Sequence, residues 1–164
     1  MPHAPSPFTF RYDVVPEDRD RVRQIVESTG FFYAPEVEIA VELVEERLNR
    51  GAESGYHFVF ADRGGTTRGY ACYGPIACTL ASFDLYWIAV ENGCRGQGLG
   101  RALLAEAERR IRGQGGQRVY IETSGRAQYV PTRAFYERCG YALEATLKDF
   151  YAPGDDKWIF VKAL

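Results

Sequence analysis

Residues 91 to 110 read ENGCRGQGLGRALLAEAERR, with glycines at 93, 96, 98 and 100 running straight into a segment of helical spacing. The preceding SFDLYWIAV (82–90) is β-branched and aromatic, so the local order is strand, glycine loop, helix. Glycines leave backbone amides uncovered, and the amides at a helix start carry partial positive charge. Arg95 and Arg101 flank that start, which makes the segment a phosphate-binding candidate. Two common nucleotide loops fail on spacing. GxGxxG begun at Gly96 meets Arg101 at its sixth position, and begun at Gly98 it meets Leu103. GxxxxGK[ST] begun at Gly93 reaches Gly98 but continues with Leu99 and Gly100 in place of lysine and serine or threonine.

Outward from the loop, the punctuation divides the chain cleanly. FTFRYDVV (8–15) reads as a first strand, and PEDRDRVRQIVESTG follows as a helix that starts at Pro16 and stops at Gly30. PEVEIAVELVEERLNRG repeats Val37, Val41, Val44 and Leu48 at helical intervals, with glutamates on the opposite face. YHFVFAD, GYACYGP and SFDLYWIAV are three successive strands, the first two joined by a tight turn. The helix after the glycine loop sets Leu103, Ala107 and Ile111 on one face and ends at Gly115 and Gly116. RVYIETS is a strand, and PTRAFYERCG is a helix with Pro131 in its first turn and Gly140 as its cap. YALEATLKDFY and KWIFVKAL are closing strands. The order β-α-α-β-β-β-α-β-α-β-β, without repeat or linker, predicts one mixed α/β domain over 8–164, preceded by a disordered, cytoplasmic N-terminus over 1–7 that carries no secretory signal.

Composition narrows the function classes. The formal charge is −2, from 20 Lys+Arg against 22 Asp+Glu, so nucleic acid is not an expected partner. No apolar run is long enough to span a membrane. Cys72, Cys78, Cys94 and Cys139 form no CxxC pair and only His3 and His57 accompany them, so no metal site is expected. Charge is uneven along the chain: the second helix is acidic and the region around the glycine loop is basic.

Arg95-Gly96-Gln97-Gly98-Leu99-Gly100 matches [Q/R]-x-x-G-x-[G/A] and closely resembles the acetyl-CoA pyrophosphate motif of the GNAT N-acetyltransferases. RAFYERCGY (133–141) resembles the fourth-helix signature of the same family, and the element order agrees, so the resemblance spans about residues 8–164. It implies the GNAT fold: a central, mostly antiparallel mixed sheet of about seven strands flanked by four helices. It implies acetyl-CoA as cofactor and transfer of acetyl to an amine by direct attack, without a covalent enzyme intermediate. The acceptor would be a small amine, an amino-acid-like molecule, or a protein N-terminus or lysine. The competing reading is a catalytically silent domain that binds CoA, and a homodimer is compatible with either.

Site residues follow from the resemblance position by position. Arg95, Gly96, Gln97, Gly98, Leu99, Gly100 and Arg101 would cradle the pyrophosphate, and the backbone of Ile88, Ala89 and Val90 would align the pantetheine arm. Tyr136 would be the general acid for the leaving thiolate. Asp84, eleven residues before Arg95, and Glu122, in the middle of a strand, are rival bases. The family often places a cofactor-contacting asparagine seven residues before the helix tyrosine; here that position is Tyr129, so Tyr129 or Ser124 takes the contact or it is absent. Phe31, Phe32 and Tyr33 in the first interhelical loop, and Asp149 and Tyr151 in the last strand turn, would shape the acceptor pocket.

Overall fold

The computed structural model describes residues 8–164. The expected N-terminal tail over 1–7, with His3, lies outside the described residues. The elements are β1 (Thr9–Arg11), α1 (Asp18–Ser28), α2 (Ala34–Arg50), β2 (His57–Arg63), β3 (Thr66–Pro75), β4 (Ser82–Val90), α3 (Leu99–Gly113), β5 (Arg118–Ser124), α4 (Val130–Arg138), β6 (Ala142–Ala152) and β7 (Asp155–Ala163). Seven strands form one mixed sheet in the order β1-β2-β3-β4-β5-β7-β6, with β4–β5 parallel and β5–β7 and β7–β6 antiparallel. The fold class expected from the sequence is therefore the one observed. No helix among the described residues is long and apolar enough to cross a membrane.

The chain groups into two compact units. The first comprises the residues up to Gly74 together with Trp87–Ala107. Its core joins Val22, Ile25 and Val26 of α1 and Val37, Ala40 and Val44 of α2 to Phe58, Phe60, Tyr70, Cys72 and Ala89. Each such aliphatic side chain contributes about 1.5–3 kcal/mol on burial, so the 3.6-residue spacing of the helices translates directly into packing. Gly69 permits the close approach of α3: a Cβ there would stand 3.0 Å from Leu103 Cδ1 and 3.1 Å from the Ala89 carbonyl. The first strand is shorter than the sequence pattern suggests, stopping at Arg11 rather than near residue 15. Arg11 places both terminal nitrogens on the buried Asp18 carboxylate at 2.9 Å, while the Val15 amide donates to the same group. These charge-assisted bonds turn the chain toward α1 before it can continue along the sheet. They also move the helix start from Pro16 to Asp18.

The second unit comprises Pro75–Tyr86 and Glu108–Leu164. Here β5 pairs parallel with β4 from Ser82↔Arg118 to Asp84↔Tyr120. Along its other side it pairs antiparallel with β7, from Arg118↔Ala163 to Ser124↔Lys157. Val119, Ile121, Ile111, Phe83 and Phe160 are buried, and α4 adds Arg133 and Tyr136. Gly140, expected to cap α4, lies one residue beyond the cap Cys139, with φ +93°.

Candidate active site

In the first unit the glycine loop has the form its sequence suggests. Asn92–Cys94 makes a single 3-10 turn, Gly96 and Gly98 hold φ of +75° and +76°, and α3 begins at Leu99. The Ala102 amide reaches the Gly98 carbonyl at 3.1 Å, so the amides before it have no partner within the helix. A Cβ added at Gly96 or Gly98 would meet no atom within 4 Å, leaving an open cradle beside the exposed Arg95 and Arg101. The buried side chain of Leu99 pins the start of the helix beneath it. Donors, open space and two guanidinium groups fit a pyrophosphate.

The loop is anchored by a residue that motif reading passed over. Glu91 accepts 2.8 Å bonds from Arg21 and from Arg68, and its amide donates to the Arg68 carbonyl. Those bonds hold its carboxyl below the ordinary glutamate range. The Asn92 amide donates to Ser28 Oγ, which ties the same turn to the end of α1. The one sequence signal for Glu91 was its place between a strand and a glycine loop.

The aromatic connection between α1 and α2 divides its duties. Phe31 lies beside the loop, its ring centroid 6.0 Å from the Arg95 guanidinium carbon. Phe32 packs 5.0 Å from the Trp87 ring, at the edge of the core. Tyr33 is exposed at the start of α2, and its amide donates to Glu36 there.

The second unit gathers most of the remaining candidates. The register puts Asp84, Tyr120, Glu122, Ile159 and Lys157 on one face of its strands. Lys157 Nζ lies 2.9 Å from Glu122 Oε1. Asp84 makes no hydrogen bond or ion pair among the described residues; its carboxyl is pushed up by burial and then by the Glu122 charge, with Lys157 opposing. Two carboxylates on one face thus sit in different states: one is partnered and the other is partly desolvated.

Around this pair the turn residues are committed to structure. Ser124 Oγ donates to Asp155 at 2.5 Å and accepts from the Arg126 amide at 3.1 Å, fixing the turn after β5. Tyr129 caps the start of α4, with its ring 5.6 Å from the Arg126 guanidinium carbon. Asp149, at φ +53°, donates its amide to Asp156 and accepts from the Gly154 amide, so its carboxylate builds the hairpin. Tyr151 has its phenol pushed up to about 12 by desolvation, then by Glu122, Asp155 and Tyr129.

Tyr136 is buried among Phe135, Tyr141 and Phe160, at ring distances of 5.5, 6.1 and 6.3 Å. Burial raises its phenol well above the usual range, so it stays protonated at neutral pH. Two side chains absent from the sequence reading lock α4 in place. Arg133 donates to the Ser124 and Arg126 carbonyls, and Lys162 bridges the buried Glu108 to the Cys139 carbonyl at 2.9 Å. The available signal for Glu108 was a charge one position from Ala107, inside an apolar helix stripe. Among the described residues no cluster could hold a metal ion.

Comparison with known proteins agrees with this geometry. The model of the acetyltransferase (GNAT) family matches residues 20–141. A protein from Desulfovibrio desulfuricans, assigned to the GNAT family of acetyltransferases, has a crystal structure that superposes with a TM-score of 0.94 at 52% identity. That match covers 95% of this chain and 98% of the other. Blasticidin-S acetyltransferase from Streptomyces morookaense is 40% identical over 81 residues, a stretch spanning 49% of this chain and 55% of that protein. An aminoglycoside 6'-N-acetyltransferase complexed with coenzyme A shares the fold at a TM-score of 0.76 and 19% identity, covering 94% of this chain and 96% of that one. The family match spans most of the chain, and the chain belongs to the acetyltransferase (GNAT) family.

Proposed function

We propose that this protein transfers acetyl from acetyl-CoA to a cationic primary amine by direct attack, with Asp84 as base and Tyr136 as general acid. The observation that carries the reading is the unequal carboxylate pair. Glu122 is held by Lys157, whereas Asp84 has no such partner and a raised pKa, which makes it a stronger proton acceptor than an ordinary aspartate. The rival assignment of Glu122 as base requires it to give up its lysine first.

Acetyl-CoA supplies the activated acyl group. The amides and guanidinium groups of Arg95 to Arg101 hold its pyrophosphate, the backbone of Ile88 to Val90 aligns the pantetheine, and Tyr129 serves where the family often has asparagine. Asp84 takes a proton from the acceptor ammonium, freeing the lone pair that forms the new C–N bond. As the C–S bond breaks, the Tyr136 phenol gives its proton to sulfur and regains one from those the nitrogen sheds. A raised phenol pKa makes that donation harder to an exposed thiolate. A thiolate developing in equally apolar surroundings gains proton affinity too, which restores the match. Tyr151, braced by the Asp149 turn, lines the acceptor. The carboxylates of Asp84, Glu122 and Asp155 favour small cationic amines, amino-acid-like molecules, or a peptide N-terminus or lysine.

The test is thiol release from acetyl-CoA across a panel of such amines, run beside a melting curve with CoA alone. Release with at least one cationic amine is expected, together with stabilisation of about 2.7 kcal/mol at a hundredfold excess of CoA over Kd. Stabilisation by CoA with no release for any amine would replace this reading with a silent CoA-binding domain.

A further inference from the structure

A buried ion pair lies under the turn that ends α4. Glu108 of α3 is 4% exposed, and Lys162 of β7 places Nζ 2.5 and 3.0 Å from its two carboxylate oxygens. Such a pair adds little net stability, because desolvating both charges offsets their attraction and apolar residues of similar volume serve as well. Its geometry gives it another use. The same Nζ donates to the Cys139 carbonyl at 2.9 Å, and a Cβ at Gly140 would stand 3.3 Å from Lys162 Cε. The Tyr141 ring centroid is 5.6 Å from Nζ. Lys162 therefore engages three consecutive residues of the turn, supplying a cationic donor where the helix carbonyls run out of partners.

The same turn holds Tyr136. The Cys139 and Tyr141 amides donate to the Tyr136 carbonyl at 3.1 and 3.0 Å, and the Tyr141 ring stands edge-on to the Tyr136 ring at 6.1 Å. We infer that Lys162, fixed by Glu108, is a positioning residue for Tyr136 and sets the direction of its phenol through the Cys139–Tyr141 turn. The inference rests on the reading of Tyr136 as general acid. Proton transfer tolerates little misplacement, since donor and acceptor must approach within about 2.6–3.2 Å. Neither member of the pair bonds a residue assigned to the cofactor or the acceptor, so its effect falls on turnover rather than on binding.

Steady-state kinetics and CoA calorimetry of the full chain test this with Glu108→Leu/Lys162→Met, alone and combined with Tyr136→Phe. The pair variant removes both charges at similar volume, so its melting temperature should stay near that of the wild type. Its kcat is expected to fall about tenfold, with CoA affinity and amine KM unchanged. In the Tyr136→Phe background the same exchange should change kcat less than about twofold, because the group it positions is gone. Glu108→Gln keeps the shape and one acceptor for Lys162. It should give a smaller fall with the same dependence on Tyr136, and it carries the test if the pair variant fails to fold. Wild-type turnover in both variants beside a slow Tyr136→Phe overturns the inference and leaves the acid in place, as does an equal loss with and without the phenol. Turnover indifferent to Tyr136→Phe removes the acid itself, and the inference with it.

Discussion

The glycine loop before α3 and the carboxylate face of β4, β5 and β7 present different kinds of groups. In the proposed function the loop works through backbone amides, so its requirements are conformational: positive φ at Gly96 and Gly98, and open space where side chains would be. In the same reading the carboxylate face works through protonation states, and those depend on which neighbours arrive from distant strands. A backbone site is therefore written in local spacing. A titrating site is written in the tertiary fold.

The sharpest way to break this contrast is on the side-chain half. Tyr136→Phe is expected to lower kcat about 10²-fold or more with CoA binding retained, in line with loss of a general acid. Steady-state kinetics with a saturating amine would show it, and turnover near that of the wild type would remove the acid from α4. Asp84→Asn should lower kcat/KM by about 10²-fold at neutral pH, with a smaller loss for Glu122→Gln; the reverse order would exchange the base.

Asp84 also has a signature in stability. Its folded pKa is raised, so the native state binds more protons than the unfolded chain, and its contribution falls as pH rises through the interval between the two values. Asp84→Asn should therefore gain on the wild type in melting temperature between acidic and neutral pH. A constant difference across that range would refute the assigned desolvation.

The backbone half should respond more mildly and only through the cofactor. Gly98→Ala forces an alanine into φ near +76°, a strain of about 1–2 kcal/mol, and should weaken CoA binding roughly fivefold to thirtyfold without changing the amine KM. Glu91→Gln should have the smallest effect, a loss of CoA affinity of roughly threefold to tenfold from weaker charge-assisted bonds, read by calorimetry. Glu91 has a lowered folded pKa, so its stabilisation is present above the ordinary glutamate value and disappears as pH falls through the folded one.

Much of the fold was legible because periodicity and glycine or proline punctuation are local. SFDLYWIAV and RVYIETS are strands over the residues expected, and Leu103, Ala107 and Ile111 are buried together. The first strand was overread because its alternation continues past Arg11, while the ion pair that turns the chain joins residues seven apart. Within the site, the sequence put Asp84 and Glu122 on equal footing. Lys157, from β7, separates them, and it lies 35 residues or more from either. Asp149 and Ser124 look like free functional groups in the sequence, but their hydrogen-bond partners are supplied by the β6–β7 hairpin.

The amino-acid sequence by itself determined the element order and the glycine loop, because helix spacing, strand alternation and a glycine pattern act over a few neighbouring residues. Tertiary structure alone decided which carboxylate has a partner, how α4 is braced by Arg133 and by the Glu108–Lys162 pair, and that β6 keeps an open edge. Burial, charge pairing and strand order are properties of what lies alongside a residue, and chain order does not fix its neighbours until the fold brings them together.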